Sequence, residues 1–411
     1  MAQLQLVHAG RTDVGIVRSN NQDAYLIDEA TQLYVVCDGV GGRNGGEEAS
    51  RIACEFIGTR MREYEQELRL FSERKGSLTR RMIGSIVENA VSDASGAIRT
   101  YSQEHPELSG MATTVCLLLV AGQRAFVAHV GDSRVYLVRH KTMHLLTEDH
   151  SLMNDLRRRG RDPDGSQLGA AYQGALTRAL GVLNTARVDL LDLELLAGDR
   201  IVLCSDGVHG VVGDNAMQAI APHADPATAA HMFIDSALQN GAPDNATVVV
   251  VDVQEDADGD RSSRVRRRLE ALQAVSMFRY LPYPDLIRVA SIAKEVKVAA
   301  GTAIFHENDV GESLFVILDG RAGVLKRGSQ IAELGLGAHF GEMSLIERAP
   351  RSAGIVANSQ LEALVIERDA FFSLLREEVT AVKLLWGMVR MLNARLRKTS
   401  DELTLMKTGQ A

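Results

Sequence analysis

The chain has 411 residues, of which 45% are apolar and only 8 are proline, so it can form two or three domains with ordinary cores. Its net charge of −8 argues against general binding to nucleic acids or membrane surfaces, which require a basic face. The sequence does not open with a basic region and an apolar block, and its longest apolar run, Val115–Ala121, is far too short to span a bilayer. We therefore expect a cytoplasmic protein.

Apolar strands and amphipathic helices are predicted in residues 1–254. The strands are rich in Val, Leu and Ile, as buried strands are: Leu33–Cys37, Val115–Ala121, Arg124–Val130, Val135–Arg139, Arg200–Cys204 and Thr247–Val253. The helices carry apolar residues at helical spacing: Glu47–Leu70, Leu78–Tyr101 and Pro226–Asn240.

The composition changes after residue 254. Residues 255–268, EDADGDRSSRVRRR, are polar and highly charged, which predicts a linker or the start of a helix. From residue 269 onward, short strands are separated by Gly and Asp turns, and one long helix is predicted over roughly Asp369–Leu403. We therefore predict a first domain over 1–254, a charged linker over 255–268 and a second domain over 269–403.

Four aspartates stand at the edges of predicted strands. Asp38 follows LYVVC, Asp132 follows FVAHVG, Asp206 follows IVLCS, and Asp244 lies two residues before ATVVVVDV. Carboxylates brought close together repel each other, so one of them must bind a proton unless cations lie between them. Oxygen ligands of this kind suit hard divalent ions such as Mg²⁺ or Mn²⁺. A single Asp at such a position is more often a turn or a helix cap, but four at comparable positions favour a metal site.

Seven motifs occur in order along the first domain: TDVGIVRSNNQDAY (12–25), VVCDGVGG (35–42), GMATTV (110–115), VGDSRVYLVR (130–139), ALTRALG (175–181), LCSDGV (203–208) and PDNATVVVV (243–251). Through them, about residues 5–253 resemble the metal-dependent protein phosphatase family, type 2C. The resemblance implies an α+β fold with a pair of packed antiparallel sheets flanked by helices. It also implies protein serine/threonine phosphatase activity at a two-metal centre on one edge of the sheets.

The resemblance assigns metal-binding roles to these aspartates. Asp38 would bridge two Mn²⁺ or Mg²⁺ ions, and the backbone carbonyl of Gly39 would bind one of them. Asp206 and Asp244 would hold the second ion. Asp132, together with Asp206, would hold a third and weaker ion that is seen in bacterial members.

By the same resemblance, Arg18 and Asp38 are the predicted catalytic residues. Arg18 would bind the substrate phosphate, because its guanidinium offers a planar fork of donors. Two bridged cations lower the pKa of a shared water, which would attack phosphoserine or phosphothreonine in line. The implied partner is a phosphorylated protein, in opposition to a serine/threonine kinase.

A cysteine nucleophile is the rival mechanism. Cys37 with Arg43, and Cys54 with Arg60, match a bare CxxxxxR spacing. However, Cys37 ends a buried strand beside an aspartate that would repel a thiolate, and Cys54 lies in a helical pattern. The four cysteines contain no CxxC pair, which fits a reducing compartment and argues against structural zinc. We expect direct attack by water and no covalent phosphoenzyme.

The sequence departs from the family pattern at two positions. Many members have Glu where Gln22 stands, and Gln cannot supply the charge of that outer ligand. Some members have His after the Asp-Gly pair, proposed to protonate the leaving group, where this chain has Val40. We assign no general acid, and His150 and His209 are the candidates to replace it.

A second constellation, HFGEMSLIERAPRSAGIVANS, occupies residues 339–359. Glu342 can accept a hydrogen bond from a ribose hydroxyl, while Arg351 and Ser352 can neutralise and hydrogen-bond a phosphate. The N–H groups that open a short predicted helix after Gly341 also suit a phosphate. The alternative interpretation is an ordinary surface loop with an ion pair between Glu342 and Arg351.

About residues 275–400 resemble the cyclic-nucleotide-binding domain of bacterial catabolite activators, gated channels and cyclic-nucleotide-dependent kinases. The resemblance implies an eight-stranded β-roll with helices at both ends, which binds cyclic AMP or cyclic GMP. The amides of Gly341 and Met343 would assist the side chains of the phosphate-binding segment. Before that segment, SLFVIL, the Asp319–Gly320 turn and RAGVLK predict a β-hairpin.

The predicted C-terminal helix carries a seven-residue apolar repeat, which suits a partner helix. Its members are Leu375, Val382, Val389, Leu396 and Leu403, with Leu385 and Leu392 between them. This pattern predicts either a homodimer seam or packing of one helix face on the β-roll.

The sequence thus favours a phosphatase controlled by a cyclic nucleotide. One alternative is a pseudophosphatase that serves as a nucleotide-sensing binding module. Another is a phosphatase whose β-roll serves only for dimerisation. A DNA-binding regulator is disfavoured because no helix-turn-helix pattern follows the β-roll.

Overall fold

The computed structural model describes residues 4–40, 45–161, 174–222, 225–254, 259–375 and 378–408. The chain divides into two compact units, Met1–Ala257 and Asp258–Ala411. Within the described ranges, every helix is too short or too polar to cross a membrane.

Two antiparallel sheets form the centre of the first unit. Their strands are β1 (Leu6–Asp13), β2 (Asp23–Asp28), β3 (Leu33–Val40), β4 (Ala112–Thr113), β5 (Val115–Ala121), β6 (Arg124–Val130), β7 (Arg134–Arg139), β8 (Thr142–Leu145), β9 (Asp189–Glu194), β10 (Arg200–Cys204) and β11 (Ala246–Val253). One sheet has the order β1-β11-β10-β7-β8, and the other has the order β2-β3-β5-β6-β9 with β4 paired to the end of β3.

Side-chain alternation in β3 shows how these layers pack. Leu33, Val35 and Cys37 join the core beneath the helices, whereas Tyr34 and Val36, which are equally buried, point to the opposite face. On that face, β3 and β5 meet β10, β11 and β7 of the other sheet. Each sheet therefore has one face on the other sheet and one face on helices.

The described helices of the first unit flank the two sheets. They are α1 (Gly45–Arg62), α2 (Glu65–Ser72), α3 (Arg80–Glu104), α4 (Leu152–Arg158), α5 (Asp206–Val212), α6 (Asp214–Ile220) and α7 (Pro226–Gln239), with a 3-10 turn at Pro106–Leu108. The single helix predicted over 47–70 is wrong, because the chain bends at residues 63–64. The bend brings Leu68 into the core that α1 also covers.

The second unit is a β-roll built from two four-stranded sheets in its described residues. Its strands are β12 (Lys294–Val298), β13 (Ala303–Phe305), β14 (Ser313–Asp319), β15 (Ala322–Lys326), β16 (Ser329–Leu334), β17 (His339–Phe340), β18 (Gly354–Ala357) and β19 (Leu361–Glu367). The sheet orders are β12-β19-β14-β17 and β13-β18-β15-β16.

The predicted hairpin across Asp319–Gly320 is wrong. β14 pairs with β17 and β19, whereas β15 pairs with β16 and β18, so the two strands belong to different sheets. The turn at Gly320 packs against the backbone before β19, where a Cβ would lie 2.2 Å from the carbonyl oxygen of Gln360. The chain therefore crosses from one sheet to the other at this glycine.

The described helices of the second unit lie before and after its strands, apart from one short helix. They are α8 (Gly259–Ala274), α9 (Tyr283–Ile292), α10 (Met343–Ile346), α11 (Arg368–Leu374) and α12 (Glu378–Thr408). Residues 259–268 of the predicted linker form the start of α8. Further along, this helix buries Ala271 and Leu272 in the core of the second unit. Residues 255–258 lie outside the described residues.

The long C-terminal helix predicted over 369–403 is divided into α11 and α12. Both helices contribute to one core, α11 through Phe371 and Leu374, and α12 through Leu384, Met388 and Met391. Two shorter helices therefore replace the single straight one, with residues 376–377 outside the described residues.

Candidate functional site

Five aspartates meet at one end of the two sheets in the first unit. Asp38 lies near the end of β3, Asp132 follows β6, Asp206 is the first residue of α5 after β10, and Asp244 precedes β11. Asp23 begins β2 and pairs directly opposite Asp38. Because neighbouring strands run antiparallel, the end of one strand and the start of the next lie at the same edge.

Burial and mutual repulsion perturb these carboxyl groups. Burial raises the pKa of Asp38 well above its usual range, and the charges of Asp23, Asp206 and Asp132 add to that effect. Burial and the charge of Asp206 raise the pKa of Asp132 to about 7. Burial raises the pKa of Asp206 as well, and Asp244 contributes to the rise. The cluster is thus a set of like charges that lacks sufficient countercharge.

Asp23 is the member of this cluster that sequence reasoning missed. Its carboxylate accepts a hydrogen bond from the Ser205 hydroxyl at 2.7 Å. Burial raises the pKa of Asp23 to about 7, against hydrogen bonds from Thr247 and Ser205 that lower it. A strand prediction for NNQDAY, paired with LYVVCD, would have placed Asp23 opposite Asp38.

Arg18 is a cation beside these carboxylates. Its Nη2 donates to Asp244 Oδ2 at 2.7 Å, and about half of its side chain is exposed. The hydrogen bond with Asp244 raises the pKa of Arg18 further, and the charges of Asp38 and Asp206 add to this effect. The guanidinium is therefore held at the cluster while it remains accessible to a ligand.

Gly39 lies within β3, not after it, because β4 extends the pairing to Gly39 and Val40. A Cβ at Gly39 would lie 2.1 Å from the carbonyl oxygen of Gly46 in α1. Only glycine permits so close an approach of two backbones. The next residues of this motif, 41–44, lie outside the described residues.

The carboxylate cluster fits a divalent metal. Asp206 Oδ1 is buried and has no hydrogen-bond partner among the described residues. A buried polar atom without a partner costs free energy, and a cluster of buried carboxylates adds to that cost. A hard divalent cation with oxygen ligands would relieve both effects. The donor set therefore suits Mn²⁺ or Mg²⁺.

The two departures from the family pattern occupy different environments. Gln22 is buried, its N–H donates to Asn245 Oδ1 at 2.8 Å, and its carbonyl accepts from Ser50 Oγ at 2.6 Å. Its backbone is thus firmly placed beside Gly39, whose N–H also donates to that carbonyl. Val40 is 44% exposed and carries no ionisable group.

The histidines predicted as replacement general acids contact the main chain around Asp132. His209 Nε2 lies 3.0 Å from the carbonyl oxygen of Asp132, and His150 Nδ1 lies 3.1 Å from the N–H of Gly131. Burial lowers the pKa of His209 to about 4, so it is neutral near pH 7. These contacts favour a structural role for both rings over proton donation.

The cysteines offer no support for the rival mechanism. All four are buried and free, and burial raises the pKa of the Cys37 thiol well above its usual range. A thiol with a raised pKa is a poor nucleophile. Arg60 is paired with Glu63 at 2.7 Å, and Arg43 lies outside the described residues.

Arg351 forms the centre of the predicted phosphate-binding segment in the second unit. It is 7% exposed, and its guanidinium donates to the carbonyl oxygens of Gly341 (3.2 Å) and Ser313 (3.0 Å) and to Ser344 Oγ (2.8 Å). The ring of Phe305 lies 4.1 Å away. Nε is buried without a hydrogen-bond partner among the described residues, and burial lowers the pKa of Arg351.

The other predicted nucleotide ligands surround this arginine. Gly341 has a positive φ of 82°, and a Cβ there would lie 2.5 Å from both the Arg351 guanidinium and the Ser313 carbonyl oxygen. Glu342 is buried, whereas Met343 and Ser352 are exposed. The buried guanidinium is hydrogen-bonded to two carbonyl oxygens and a hydroxyl, and the charges of Glu342 and Asp309 also act on it. Because these direct partners are neutral, the arrangement suits an anionic ligand.

Helix α12 has two apolar faces. One face packs into the core of its own unit through Leu384, Met388 and Met391. The other face is exposed and carries apolar side chains three or four residues apart: Val382, Leu385, Val389, Leu392 and Leu396. The side chain of Leu403, the last predicted member of this repeat, lies outside the described residues.

Comparison with known families gives one match in each of the two units. A profile described as "Protein phosphatase 2C" matches residues 16–241, and one described as "Cyclic nucleotide-binding domain" matches residues 295–378. The second match falls on the β-roll. Together with the sheet orders described above, these matches confirm the predicted fold class.

Named relatives cover the first unit. The chain is 33% identical over 255 residues to the serine/threonine protein phosphatase PstP of Mycobacterium tuberculosis, which is 62% of this chain and 46% of PstP. It therefore spans about half the length of that relative. It is 30% identical over 246 residues to the serine/threonine phosphatase stp of Listeria monocytogenes, covering 59% of this chain and 94% of stp.

Solved structures match about the same share of the chain as these relatives do. The crystal structure of PstP/Ppp from M. tuberculosis matches with a TM-score of 0.53 and 32% identity, covering 61% of this chain and 99% of that chain. The catalytic domain of PstP in complex with two manganese ions matches with a TM-score of 0.51 and 32% identity, covering 61% and 100%.

Proposed function

This chain belongs to the protein phosphatase 2C family, and on that premise we propose that it removes phosphate from phosphoserine and phosphothreonine residues of proteins, under the control of a cyclic nucleotide. The observation that carries the proposal is the convergence of four predicted aspartate ligands beside Arg18, with one buried Asp206 oxygen that has no donor among the described residues. A phosphoprotein made by a serine/threonine kinase would be the substrate.

The carboxylates would hold two ions of Mn²⁺ or Mg²⁺. Asp38 and the carbonyl of Gly39 would serve one side of the centre, and Asp206 and Asp244 the other, with Asp132 and Asp206 available to an additional ion. Bound ions of this kind lower the pKa of a water and stabilise charge on the oxygens of a phosphoryl group. Their charge would also lower the raised pKa values of the aspartates that hold them.

Arg18 would recognise the phosphate. In the structure its guanidinium is bonded to Asp244, and we propose that a substrate phosphate replaces that partner with two parallel hydrogen bonds. The exposure of Arg18 supports this exchange, because a ligand can reach it without rearrangement of the core. Since Val40 has no ionisable group to donate a proton, the leaving oxygen would take its proton from solvent.

Phosphate release from a phosphothreonine peptide, titrated with Mn²⁺, tests the proposal. We expect saturable Mn²⁺-dependent release that Asp206→Ala reduces to background. Asp235→Ala makes the same chemical change at an exposed position of α7 and should leave release intact. Release that is absent at every Mn²⁺ concentration would favour the pseudophosphatase, and full activity in Asp206→Ala would overturn the metal assignment.

The β-roll would bind cyclic AMP or cyclic GMP through Arg351, Ser352 and Glu342, with the amides of Gly341 and Met343. The buried guanidinium supports this assignment, because its direct hydrogen-bond partners are neutral oxygens and its Nε has no partner among the described residues, so a singly charged phosphate would give it a charged partner. Calorimetry with each nucleotide should give binding that Arg351→Ala abolishes. Arg348→Ala, an exposed arginine paired with Glu312 at 3.0 Å, is the matched control and should bind normally.

Regulation requires that the nucleotide bind two phosphatase states with different affinity. Coupling of this kind is typically about 1–3 kcal/mol, which corresponds to roughly 5–150-fold in affinity. Turnover and the Mn²⁺ concentration for half-activation should therefore change at saturating nucleotide. If both stay constant while nucleotide binds, the β-roll serves another purpose, such as dimerisation.

We also propose that α12 pairs with a second copy of the chain through its exposed apolar face. A sustained three-and-four spacing is typical of helices that pack on a partner helix. Light scattering of the full chain at micromolar concentration should give twice the monomer mass, and Leu385→Glu with Leu392→Glu should halve it. Asn393→Glu introduces a charge at an exposed polar position of the same helix and should leave the mass unchanged. A monomeric mass for the unsubstituted chain would contradict this proposal.

A further inference from the structure

The turn that carries Asp132 has an unusual backbone. β6 ends at Val130 and β7 begins at Arg134. Gly131 has φ of 110°, and a Cβ there would lie 2.6 Å from the Thr114 side chain. A turn with this conformation needs external partners for its main-chain groups if Asp132 is to hold a fixed position.

His150 supplies both partners of Gly131. The backbone N–H of His150 donates to the Gly131 carbonyl at 2.8 Å, and the backbone N–H of Gly131 donates to the ring nitrogen Nδ1 of His150 at 3.1 Å. Because a backbone N–H can only donate, Nδ1 carries no proton and Nε2 carries it. Nε2 then donates to Asp189 Oδ2 at 3.1 Å, and Arg178 holds the other oxygen of Asp189 at 2.7 Å.

His209 bonds to the next residue of the same turn, Asp132. Its Nε2 lies 3.0 Å from the Asp132 carbonyl, which can only accept, so Nε2 carries the proton. His209 lies three residues after Asp206 on α5. One turn of helix therefore connects the main chain of Asp132 to the carboxylate of Asp206.

A metal site at His129, His150 and Asp189 is the competing explanation for these buried rings, because their ligand atoms lie within 4.8 Å of one another. The hydrogen bonds argue against it. His129 Nε2 donates to the Glu148 carbonyl at 2.8 Å, and the proton of His150 Nε2 blocks coordination there. Arg178 Nη1 also lies 3.0 Å from His150 Nε2. The contacts with Gly131 and Asp189 both require the proton on Nε2, so this third contact joins two donors and is not a hydrogen bond, and the guanidinium lies where an ion would have to bind.

We propose that His150 and His209 are positioning residues that fix the Asp132 turn relative to Asp206 and thereby set the affinity for the additional divalent ion. This inference rests on the metal centre of the proposed function. Neither ring contacts the reacting atoms in this role. Outer partners of metal ligands typically contribute about 10–100-fold to metal affinity.

Two amide substitutions distinguish this role from general support of the fold. The side-chain oxygen of Asn can replace His Nδ1, whereas the longer Gln can place an N–H where His Nε2 lies. At position 150, Asn should therefore preserve the hydrogen bond from the Gly131 N–H, and Gln should not. At position 209, Gln should preserve the hydrogen bond to the Asp132 carbonyl, and Asn should not. The same two residues thus have opposite expected effects at the two positions.

Each variant of the full chain is stripped of metal and titrated with Mn²⁺ by calorimetry, and its metal-free melting temperature is recorded. We expect His150→Gln and His209→Asn to weaken the weakest Mn²⁺ binding event by at least about 10-fold. His150→Asn and His209→Gln should bind like the unsubstituted chain. His231, an exposed histidine bonded to Arg11 at 3.2 Å, provides the control with both substitutions.

Equal effects of Asn and Gln at either position would overturn the inference, as would melting temperatures that fall without any change in Mn²⁺ affinity. The titration contains no substrate, so its result is separate from catalysis. If the expected pattern appears while the unsubstituted chain releases no phosphate, the proposed function fails and the positioning role of the two histidines is supported. If the unsubstituted chain binds no Mn²⁺, both fail.

Discussion

Replacing Asp132 by Asn should stabilise the metal-free protein. Burial, together with the charge of Asp206, raises the pKa of Asp132 to about 7 from an ordinary value of 3.8. Above pH 7 the Asp132 carboxylate is charged in both states, but only the folded state buries that charge, which lowers its stability. At about 1.36 kcal/mol per pH unit, this difference corresponds to roughly 4 kcal/mol as an upper limit. Asn has nearly the same size and removes the charge.

The pH dependence of this effect has a definite sign. A raised carboxyl pKa means that the folded state binds the proton more tightly, so the unsubstituted chain loses stability as pH rises from about 4 to about 7. As the pH falls from 8 to 6, proton uptake by Asp132 raises the free energy of unfolding of the unsubstituted chain by about 1.4 kcal/mol, and the Asn variant has no such gain. The advantage of the Asp132→Asn variant is therefore largest at pH 8. Burial lowers the pKa of His129 and His209 to about 4, which acts in the opposite direction, but both proteins share that effect.

Calorimetry of the full chain in chelator at pH 6 and pH 8 measures this difference. The transition of the first unit is the one that Mn²⁺ shifts in the unsubstituted chain. The single tryptophan, Trp386, lies in α12, so its fluorescence reports the second unit. The reasoning is refuted if the Asn variant is no more stable at pH 8, or if its advantage is the same at pH 6.

Three further substitutions test the geometry of the two sites. Gly39→Ala places a Cβ 2.1 Å from the carbonyl oxygen of Gly46, so calorimetry in chelator should show a loss of about 1–3 kcal/mol, and an unchanged melting temperature would contradict the packing. Gly341→Ala places a Cβ 2.5 Å from the Ser313 carbonyl at a positive φ, so calorimetric nucleotide affinity should fall, and unaltered binding would exclude this geometry. Gln22→Glu adds a charge to the carboxylate cluster, so it should lower the Mn²⁺ concentration for half-maximal phosphate release and lower the metal-free melting temperature. An unchanged Mn²⁺ requirement would show that Gln22 has no influence on the ions.

The strands and most of the acidic cluster could be predicted because their signals are local. A run of apolar residues followed by Asp or Gly marks the end of a buried strand wherever it occurs. Asp38, Asp132 and Asp206 each have that signal, and Asp244 lies just before a run of the same kind. Asp23 lacks it, because what places it in the cluster is the pairing of β2 with β3, which depends on register between separated segments.

The same limit explains the hairpin that did not form. The Asp319–Gly320 turn has a strong local hairpin signal, but the strands on either side find their partners elsewhere in the chain. Likewise, His150 and His209 were candidates for proton transfer because Val40 leaves the general acid unassigned. Their function depends on which ring nitrogen faces which backbone group, and only the folded arrangement of β6, α5 and residue 150 determines that.

The metal centre connects the chemistry of the proposed phosphatase to its stability. The fold holds at least four carboxylates near one another at raised pKa values, so any divalent ion that binds there also stabilises the first unit. A small displacement of the Asp132 turn would change metal affinity without touching Arg18 or Asp38. A tenfold change in affinity is about 1.4 kcal/mol, which lies within the coupling that an allosteric ligand typically supplies. If the proposed regulation by a cyclic nucleotide acts through the occupancy of the additional ion, it will be visible in the Mn²⁺ concentration for half-activation.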